Sequence, residues 1–229
     1  SWRMGLLADD WGAQWIGSEK MEAQSVGGRK VNNVMPDPWF RKTFNLETIP
    51  QDAVIYVASV GYHELYVNGK KVGDAVLSPS VTDHKSRARY MTYDITNYLK
   101  SGNNVIALWL GTSWSIFPAY QREDKPAIPM ALVQAEIILP SGKELQITSD
   151  ESWKTHASPN TLLGYWEAHH FEGECYDAAL EKDNWNAIDF DDSDWEQVKV
   201  YHPALKVSSD RTEPNRLIQE ITLLSIQEI

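Results

Sequence analysis

The chain has 229 residues, a formal net charge of −11 from 32 acidic and 21 basic residues, and an ordinary apolar content of 42%. This composition excludes a disordered chain, and no apolar run approaches the roughly 20 residues that a membrane-spanning helix needs. The lack of such a run predicts no membrane insertion, and the acidic balance disfavours phosphate binding, so we expect no nucleic-acid partner.

The aromatic residues and the cysteine content also limit the kinds of ligand, disulfide and metal site that we expect. Ten tryptophans and ten tyrosines can fill a β-sheet core, but they also make flat surfaces on which sugars stack. Cys175 is the single cysteine, which excludes an internal disulfide and a thiolate metal cluster. We expect it to be a buried, unreactive thiol.

The first half of the chain predicts strands and one tight hairpin. Residues 1–33 read as a leader joined to an upstream domain, with a Gly/Asn-rich loop. The β pattern then begins in WFRKTFNL, and AVIYVASV is rich in β-branched residues, which places Tyr56 in the core. In YHELYVNGKKVGD, Asn68 and Gly69 supply the positive φ angles of a type I′ turn.

The second half continues the pattern. ITNYLKSGNN predicts a short helical turn closing on Gly102, and NVIALWLG a buried strand with Trp109 in the core. A second hairpin turns at residues 140–142, and SSDRTEPNR reads as a linker. Many short strands with weak helical periodicity predict an all-β sandwich over 34–205, followed by a linker and the first strand of another domain over 206–229.

The segment FEGECYDAALEKDNW raises the question of a site. Alternation along a strand puts Glu172 and Glu174 on one face about 7 Å apart, a spacing compatible with the two carboxyls of an inverting glycosidase. Glu174 and Asp177 could instead bind sugar hydroxyls or calcium, because hard oxygen ligands suit both. The third interpretation is structural, with the acids making hydrogen bonds at a strand end.

Three further groups have competing interpretations. The aspartate-rich run at residues 189–195 lacks the spacing of a calcium loop, so Asx turns with Trp195 as a core anchor are favoured. His84 stands in a candidate binding loop with Asp83, and Arg89 follows it; the alternative is that His84 is an ordinary polar residue of the loop. For Trp114 and Trp166, ligand contact and packing at a domain interface are weighed equally.

An ordered set of segments resembles one family. FRKTFNL, VGYHELYVNGKKVGD, LSPSVTDHKSRARYMTYDIT, LKSGNNVIALWLGTSW and GECYDAALEKDNWNAIDFDDSDW together resemble the N-terminal β-sandwich of bacterial α-L-rhamnosidases, glycoside hydrolase family 78. The resemblance covers roughly residues 37–205. The sequence departs from the family at Ala179, where arginine is usual, and at Ser115, where tyrosine is common.

The resemblance implies a galactose-binding-like jelly roll that assists substrate recognition. In the family, a separate α/α barrel hydrolyses the substrate with two carboxylates and inversion, and here it would follow Ile229. We therefore expect a non-catalytic domain whose partners are rhamnose-containing glycans and the remaining domains of its parent. The candidate sugar contacts are Asp83, His84, Arg89, Trp114, Trp166, Glu174 and Asp177.

Three functional hypotheses stay open at this point. The first is sugar recognition for a glycoside hydrolase, with no catalytic residue in this chain. The second is a structural module that packs on the barrel and binds no sugar, and the third is an autonomous hydrolase. No cofactor is expected, although a structural calcium is compatible with the acids. A glycan-degrading parent favours the bacterial periplasm or exterior, with the cytoplasm not excluded.

Overall fold

The computed structural model describes residues 5–19, 25–26, 29–30, 36–112, 128–162 and 174–221. These residues form β-strands and three short 3₁₀ turns, at Ala8–Asp10, Thr96–Tyr98 and Ala178–Leu180, without an α-helix. Within these ranges no helix has the length and apolar character to cross a membrane. The predicted all-β sandwich is confirmed.

Eighteen strands lie in the described ranges. In chain order they are β1 (Trp15–Gly17), β2 (Ser25–Val26), β3 (Arg29–Lys30), β4 (Pro36–Leu46), β5 (Asp52–Val60), β6 (Tyr62–Val67), β7 (Lys70–Lys71), β8 (Ala75–Val76), β9 (Arg87–Asp94), β10 (Gly102–Gly111), β11 (Met130–Ile138), β12 (Glu144–Thr148), β13 (Lys154–Leu162), β14 (Glu174–Tyr176), β15 (Glu196–Gln197), β16 (Lys199–Tyr201), β17 (Lys206–Ser209) and β18 (Asn215–Arg216).

Two seven-stranded sheets form the sandwich. The first sheet has the order β16-β1-β11-β5-β9-β17, with β12 also paired to β11. The second has the order β14-β13-β4-β10-β6-β7, with β15 also paired to β13. Neighbouring strands run antiparallel except β17, which runs parallel to β9. Two small ribbons, β2–β3 and β8–β18, lie outside these sheets.

The core between the sheets follows from the alternation of each strand. In β6, Leu65 and Val67 are buried against the inner residues of the first sheet, among them Ile55 and Val133. Tyr62 and Glu64, one position out of phase, are half-exposed on the opposite face. Burying a side chain such as Leu65 stabilises the fold by about 1.5–3 kcal/mol. The period of two therefore separates a packed inner face from an outer face that is available for other contacts.

The predicted turns are present. Asn68 and Gly69 have φ angles of 52° and 81° between β6 and β7, as a type I′ turn requires. The 3₁₀ turn Thr96–Tyr98 precedes Gly102, whose φ is 86°. Gly142, with φ of 81°, closes the hairpin between β11 and β12.

Strands from both chain ends join the first sheet. Residues 15–17, predicted as part of a leader, pair with β11 and β16, and residues 206–209, predicted as linker, pair with β9. The proposed domain boundaries at 33/34 and 205/206 stay predictions, but the strand pairing of the described residues continues across both.

The outer face of the second sheet is divided into two halves. Over one half, which we call the covered half, residues 185–195 pack on the sheet. Trp185 stacks on Trp39 with ring centroids 4.6 Å apart and an interplanar angle of 10°, and Trp195 lies 6.2 Å from Trp39. All three indoles are buried, so the prediction of Trp195 as a core anchor is confirmed. The other half carries the candidate site.

Candidate functional site

A cleft of about 220 Å³ opens on the uncovered half of the second sheet. It is lined by short consecutive stretches of β6 and β10 and by one residue of β4, and β13 and β14 each contribute one residue from the edge of the sheet. The lining residues are Asp37, Tyr62, His63, Glu64, Leu77, Trp109, Leu110, Gly111, Asn160 and Glu174. None of these described residues is Lys or Arg, so the cleft is acidic and carries aromatic rings.

Strand register brings the cleft residues together. Trp109 of β10 stands opposite Glu64 of β6, and Gly111 stands opposite Tyr62. Because Gly111 has no side chain, the floor stays open between the rings of Tyr62 and Trp109. The prediction that Trp109 is a core residue is wrong in part, since it is half-buried, packs on Trp39 at 5.9 Å and lines the cleft. Tyr56 is buried as predicted.

Asp37 is a buried carboxylate that ties three strands together at the cleft. Its Oδ1 accepts a hydrogen bond of 2.6 Å from the Thr112 backbone N–H and a second from the Thr112 hydroxyl, and its Oδ2 accepts one of 2.6 Å from Asn160. Burial, with a smaller contribution from the negative charge of Glu174, raises the pKa of Asp37 to about 6 against the lowering effect of these donors. Two carboxyl groups therefore share this end of the cleft.

Glu174 approaches the cleft from the edge strand β14. It pairs with Leu162, while Tyr176 pairs with Asn160, so the edge strand and the Asp37 donor Asn160 belong to one ladder. Glu174 is exposed. The structure thus places one of the sequence-predicted contacts at an open carboxylate site beside Asp37.

Glu64 supplies the third carboxylate. Its Oε2 accepts a hydrogen bond of 2.5 Å from the Tyr66 hydroxyl, and its Oε1 pairs with Lys71. Burial, followed by the hydrogen bond and charge of Glu64, raises the pKa of Tyr66, so the phenol stays a donor. Glu64 is therefore held in a fixed orientation at the side of the cleft.

His63 lies at the base of the cleft in a buried polar chain. Its Nδ1 is 2.8 Å from the Ser59 hydroxyl and its Nε2 is 3.0 Å from the Tyr93 hydroxyl. Burial lowers the pKa of His63 to about 3, so the imidazole is neutral at physiological pH. Ser59 is fully buried, which keeps this serine–histidine pair from acting on a ligand. These hydrogen bonds between Ser59, His63 and Tyr93 stabilise the fold.

Asp83 and His84 lie elsewhere, in the turn that precedes β9. Asp83 Oδ1 accepts a hydrogen bond of 3.0 Å from the Lys85 backbone and its Oδ2 one of 3.2 Å from the Ser86 hydroxyl, so this carboxylate builds the turn. His84 is buried, and burial lowers its pKa to about 4 despite the nearby charge of Asp83. Neither residue lines the cleft.

Arg89 holds the C-terminal segment on the sandwich. Its Nη1 lies 3.1 Å from Asp210 Oδ1 and donates to the hydroxyls of Ser80 and Thr212 at 2.5 and 2.9 Å. The Asp210 side chain is almost fully buried. The Arg89 guanidinium therefore already binds groups of the protein itself. Its predicted contact with sugar stays a prediction, and Arg89 does not line the cleft.

The remaining predicted contacts divide into two groups. Asp177 follows β14 and begins the 3₁₀ turn Ala178–Leu180, where its Oδ1 accepts a hydrogen bond of 3.0 Å from the Ala179 N–H. Trp114 and Trp166 lie outside the described residues, as does Glu172. The predicted Glu172–Glu174 pair therefore has no described geometry.

Cys175 corrects one expectation. It is exposed rather than buried. The reason is its place in β14, an edge strand of three residues that are all exposed. The order of strands, which the local sequence does not specify, decided this exposure.

The aspartate-rich run forms turns, as favoured. Asp191 Oδ1 accepts a hydrogen bond of 3.0 Å from the Ser193 N–H, and the hydrogen bonds from Ser193 lower the pKa of Asp191. Asp192 pairs with Lys154 at 2.7 Å and lies 3.0 Å from Arg41 Nε. Among the described residues no group of three His, Cys, Asp or Glu side chains is arranged to hold a metal ion.

Sequence reasoning missed Asp37, Asn160 and Leu77. Asp37 stands between two prolines at the start of β4, and Asn160 follows a proline in β13. Neither segment matches a recognisable motif. The only indication in either segment was a polar residue inside a strand. In β13, a bulge between Ala157 and Thr161 helps to direct Asn160 towards the cleft.

Comparisons with known proteins identify relatives across most of the chain. A family model described as the α-L-rhamnosidase N-terminal domain matches residues 48–219. An α-L-rhamnosidase of Formosa agariphila is 32% identical over 235 residues, a match that covers 93% of this chain and 24% of the relative. The chain thus spans about a quarter of that relative's length.

Two solved structures of α-L-rhamnosidases also match most of this chain. The α-L-rhamnosidase from Dictyoglumus thermophilum has a TM-score of 0.76 and 34% identity, with 93% of this chain and 24% of that one covered. The Streptomyces avermitilis α-L-rhamnosidase complexed with L-rhamnose has a TM-score of 0.71 and 26% identity, with coverage of 86% and 19%. Both likenesses extend over most of the described sandwich.

Proposed function

Because this chain belongs to the family of α-L-rhamnosidase N-terminal domains, we propose that it is a non-catalytic carbohydrate-recognition domain. It binds terminal α-L-rhamnose on glycans or glycosides in the cleft of the second sheet. The observation that carries this proposal is the combination of the exposed Glu174 carboxylate and half-buried aromatic rings in a cleft whose described lining contains no Lys or Arg.

The chemistry of the cleft suits a neutral sugar. The exposed carboxylate of Glu174 accepts hydrogen bonds from hydroxyl groups, and a charged acceptor strengthens each bond. The rings of Tyr62 and Trp109 offer apolar surface to the C–H face of a pyranose. A phosphate or carboxylate ligand would meet unfavourable negative charge here.

Recognition is favoured over hydrolysis in this chain. An inverting glycosidase needs a carboxylic acid and a carboxylate base on opposite sides of the sugar, both able to exchange a proton with the ligand or a water. Asp37 has the raised pKa of an acid, but it is 2% exposed and both its oxygens are occupied by Thr112 and Asn160. We place hydrolysis by the parent protein in a part of it outside this chain.

A packing role is the second candidate, and exposed apolar residues near the end of the described chain favour it. Leu217, Ile218 and Ile221 are 72%, 99% and 83% exposed. Such side chains suit burial against neighbouring domains of the parent. This role is compatible with sugar binding, because these residues do not line the cleft.

Titration calorimetry with L-rhamnose tests the proposal. We expect saturable binding to the purified chain with a Kd on the order of 1–10 mM, which corresponds to roughly −3 to −4 kcal/mol. Glu174→Gln removes the charged acceptor and should weaken binding about tenfold. Titrations with calcium and with a chelator test whether a cation contributes.

Asp177→Ala is the matched control. It removes a neighbouring carboxylate that caps the 3₁₀ turn and does not line the cleft, so we expect rhamnose affinity to stay within twofold of the unmodified chain. If the unmodified chain shows no heat of binding at tens of millimolar rhamnose, recognition is refuted and the packing role remains.

A further inference from the structure

Leu77 has an unusual backbone conformation at the edge of the cleft. Three non-glycine residues in the described ranges have positive φ: Asn68, Asn184 and Leu77, the last with φ of 52°. Asparagine adopts this region readily, whereas leucine does so at a cost because its Cβ crowds the following carbonyl. Leu77 is nevertheless 59% exposed, so burial in the core does not compensate for the strain.

The backbone on both sides of Leu77 is fixed. Val76 pairs with Asn215 in the β8–β18 ribbon, and the Ser78 carbonyl accepts a hydrogen bond of 2.8 Å from the His63 N–H. These contacts hold the strained residue beside β6 with its side chain lining the cleft. Glycine would satisfy the same backbone without strain, so only the side chain distinguishes leucine at this position.

Sheet order places the exposed carboxylate of the cleft and its exposed leucine at opposite ends. Glu174, Asn160 and Asp37 lie on β14, β13 and β4 at one end. At the other end Leu77 lies beside β6, where the oxygens of the Glu64 carboxylate are engaged by Tyr66 and Lys71. A ligand that spans the cleft therefore meets hydroxyl-binding groups on one side and an aliphatic wall on the other.

We infer that Leu77 is a specificity-determining residue that contacts the C6 methyl group of a 6-deoxyhexose; this inference rests on the proposed function. A methyl group gains free energy when it leaves water against an aliphatic side chain. A C6 hydroxyl at the same place loses hydrogen bonds to water and finds no partner on leucine. Leu77 thus favours deoxy sugars over their hydroxymethyl counterparts.

The experiment compares L-rhamnose with L-mannose, which has the same ring configuration and a hydroxyl on C6. Both sugars are titrated into the unmodified chain, Leu77→Gly and Leu77→Ala. We expect the unmodified chain to prefer rhamnose about tenfold, in the range for one small apolar group in a pocket. Both variants should lower that preference to within about twofold, since each removes the aliphatic wall.

Thermal unfolding measures the effect of the backbone strain at Leu77 separately from the effect of its side chain. Leu77→Gly should raise Tm by about 2–4 °C because glycine adopts positive φ without strain, while Leu77→Ala keeps the strain. Ile49→Ala is the control, an exposed apolar residue outside the cleft that should leave the sugar preference unchanged.

The outcomes separate the two proposals. An unmodified chain that binds neither sugar overturns the proposed function. An unmodified chain that binds both sugars equally, or variants that bind with the unmodified preference, overturns the role of Leu77 and leaves sugar recognition intact. Should Leu77→Gly fail to fold, the preference of Leu77→Ala decides in the same way.

Discussion

The two halves of the outer face of the second sheet carry the same kinds of residue, but these residues are buried in one half and face an open cleft in the other. In the covered half, Trp39, Trp185 and Trp195 stack on one another and are buried. In the cleft, Trp109 and Tyr62 are half-buried and face an open volume. Aromatic and acidic side chains alone therefore do not define a binding surface. What differs is whether another segment covers them.

A buried arginine marks the covered half. Arg41 donates to the carbonyls of Trp185 and Ala187, each at 3.1 Å, and its Nε lies 3.0 Å from Asp192. Its guanidinium also lies 5.2 Å from the centre of the Phe190 ring. The described lining of the cleft contains no Lys or Arg, and its exposed carboxylate, that of Glu174, keeps its capacity to bind a ligand.

The largest expected effect is the loss of this arginine. Arg41→Ala leaves Asp192 and several loop carbonyls without their donor in a buried setting, which should lower the free energy of unfolding by about 3–5 kcal/mol. Urea unfolding measures this change in the free energy of unfolding. Arg41→Lys keeps the charge but cannot donate to several carbonyls at once, so it should recover only part of the loss. Arg211→Ala, at an exposed position, is the control. A change of under 1 kcal/mol in Arg41→Ala would show that the aromatic stack holds the segment alone.

The next effect concerns the pH dependence of the cleft. Burial raises the pKa of Asp37 to about 6 in the folded protein, above the value of about 4 in an unfolded chain. Protonated Asp37 thus stabilises the fold fully below pH 4, and this contribution is lost as the pH rises through 6. Relative to Asp37→Asn, the unmodified chain should lose about 2–3 kcal/mol of stability between pH 4 and 7. Urea unfolding at several pH values measures the difference, and parallel curves for the two proteins would contradict it.

The smallest effect is expected at the ion pair beside the cleft. Lys71 and Glu64 form a salt bridge in which both side chains are about one-third exposed, unlike the buried Arg41. Solvent screens such pairs, so Lys71→Met should change stability by less than about 1 kcal/mol. A loss as large as that of Arg41→Ala would remove the distinction drawn between the two halves.

Much of the fold could be predicted from the sequence. The alternation in YHELYV and the Asn68–Gly69 turn are local signals with local causes, and both are confirmed. The Asx turn at Asp191 belongs to the same class. The burial of Cys175 was predicted wrongly, and that of Trp109 in part, because exposure depends on which strand is at an edge and which segment lies above a face.

The candidate site was predicted only in part. Glu174 was singled out in the sequence and lines the cleft, whereas Asp83, His84 and Arg89 lie outside it and have partners of their own. Asp37 and Asn160 come from strands about 120 residues apart in the chain. No local pattern relates residues at that separation.

The sequence by itself determined the strands, their turns and the family, since these depend on periodicity, on the φ preferences of single residues and on an ordered set of segments. Only the tertiary structure decided which half of the second sheet is covered and which carboxylates meet. It set the high pKa of Asp37 and placed Leu77 at the far end of the cleft from Glu174. The physical reason is that burial and electrostatic interaction depend on distances in space, and the order of strands in a sheet sets those distances independently of their order in the chain.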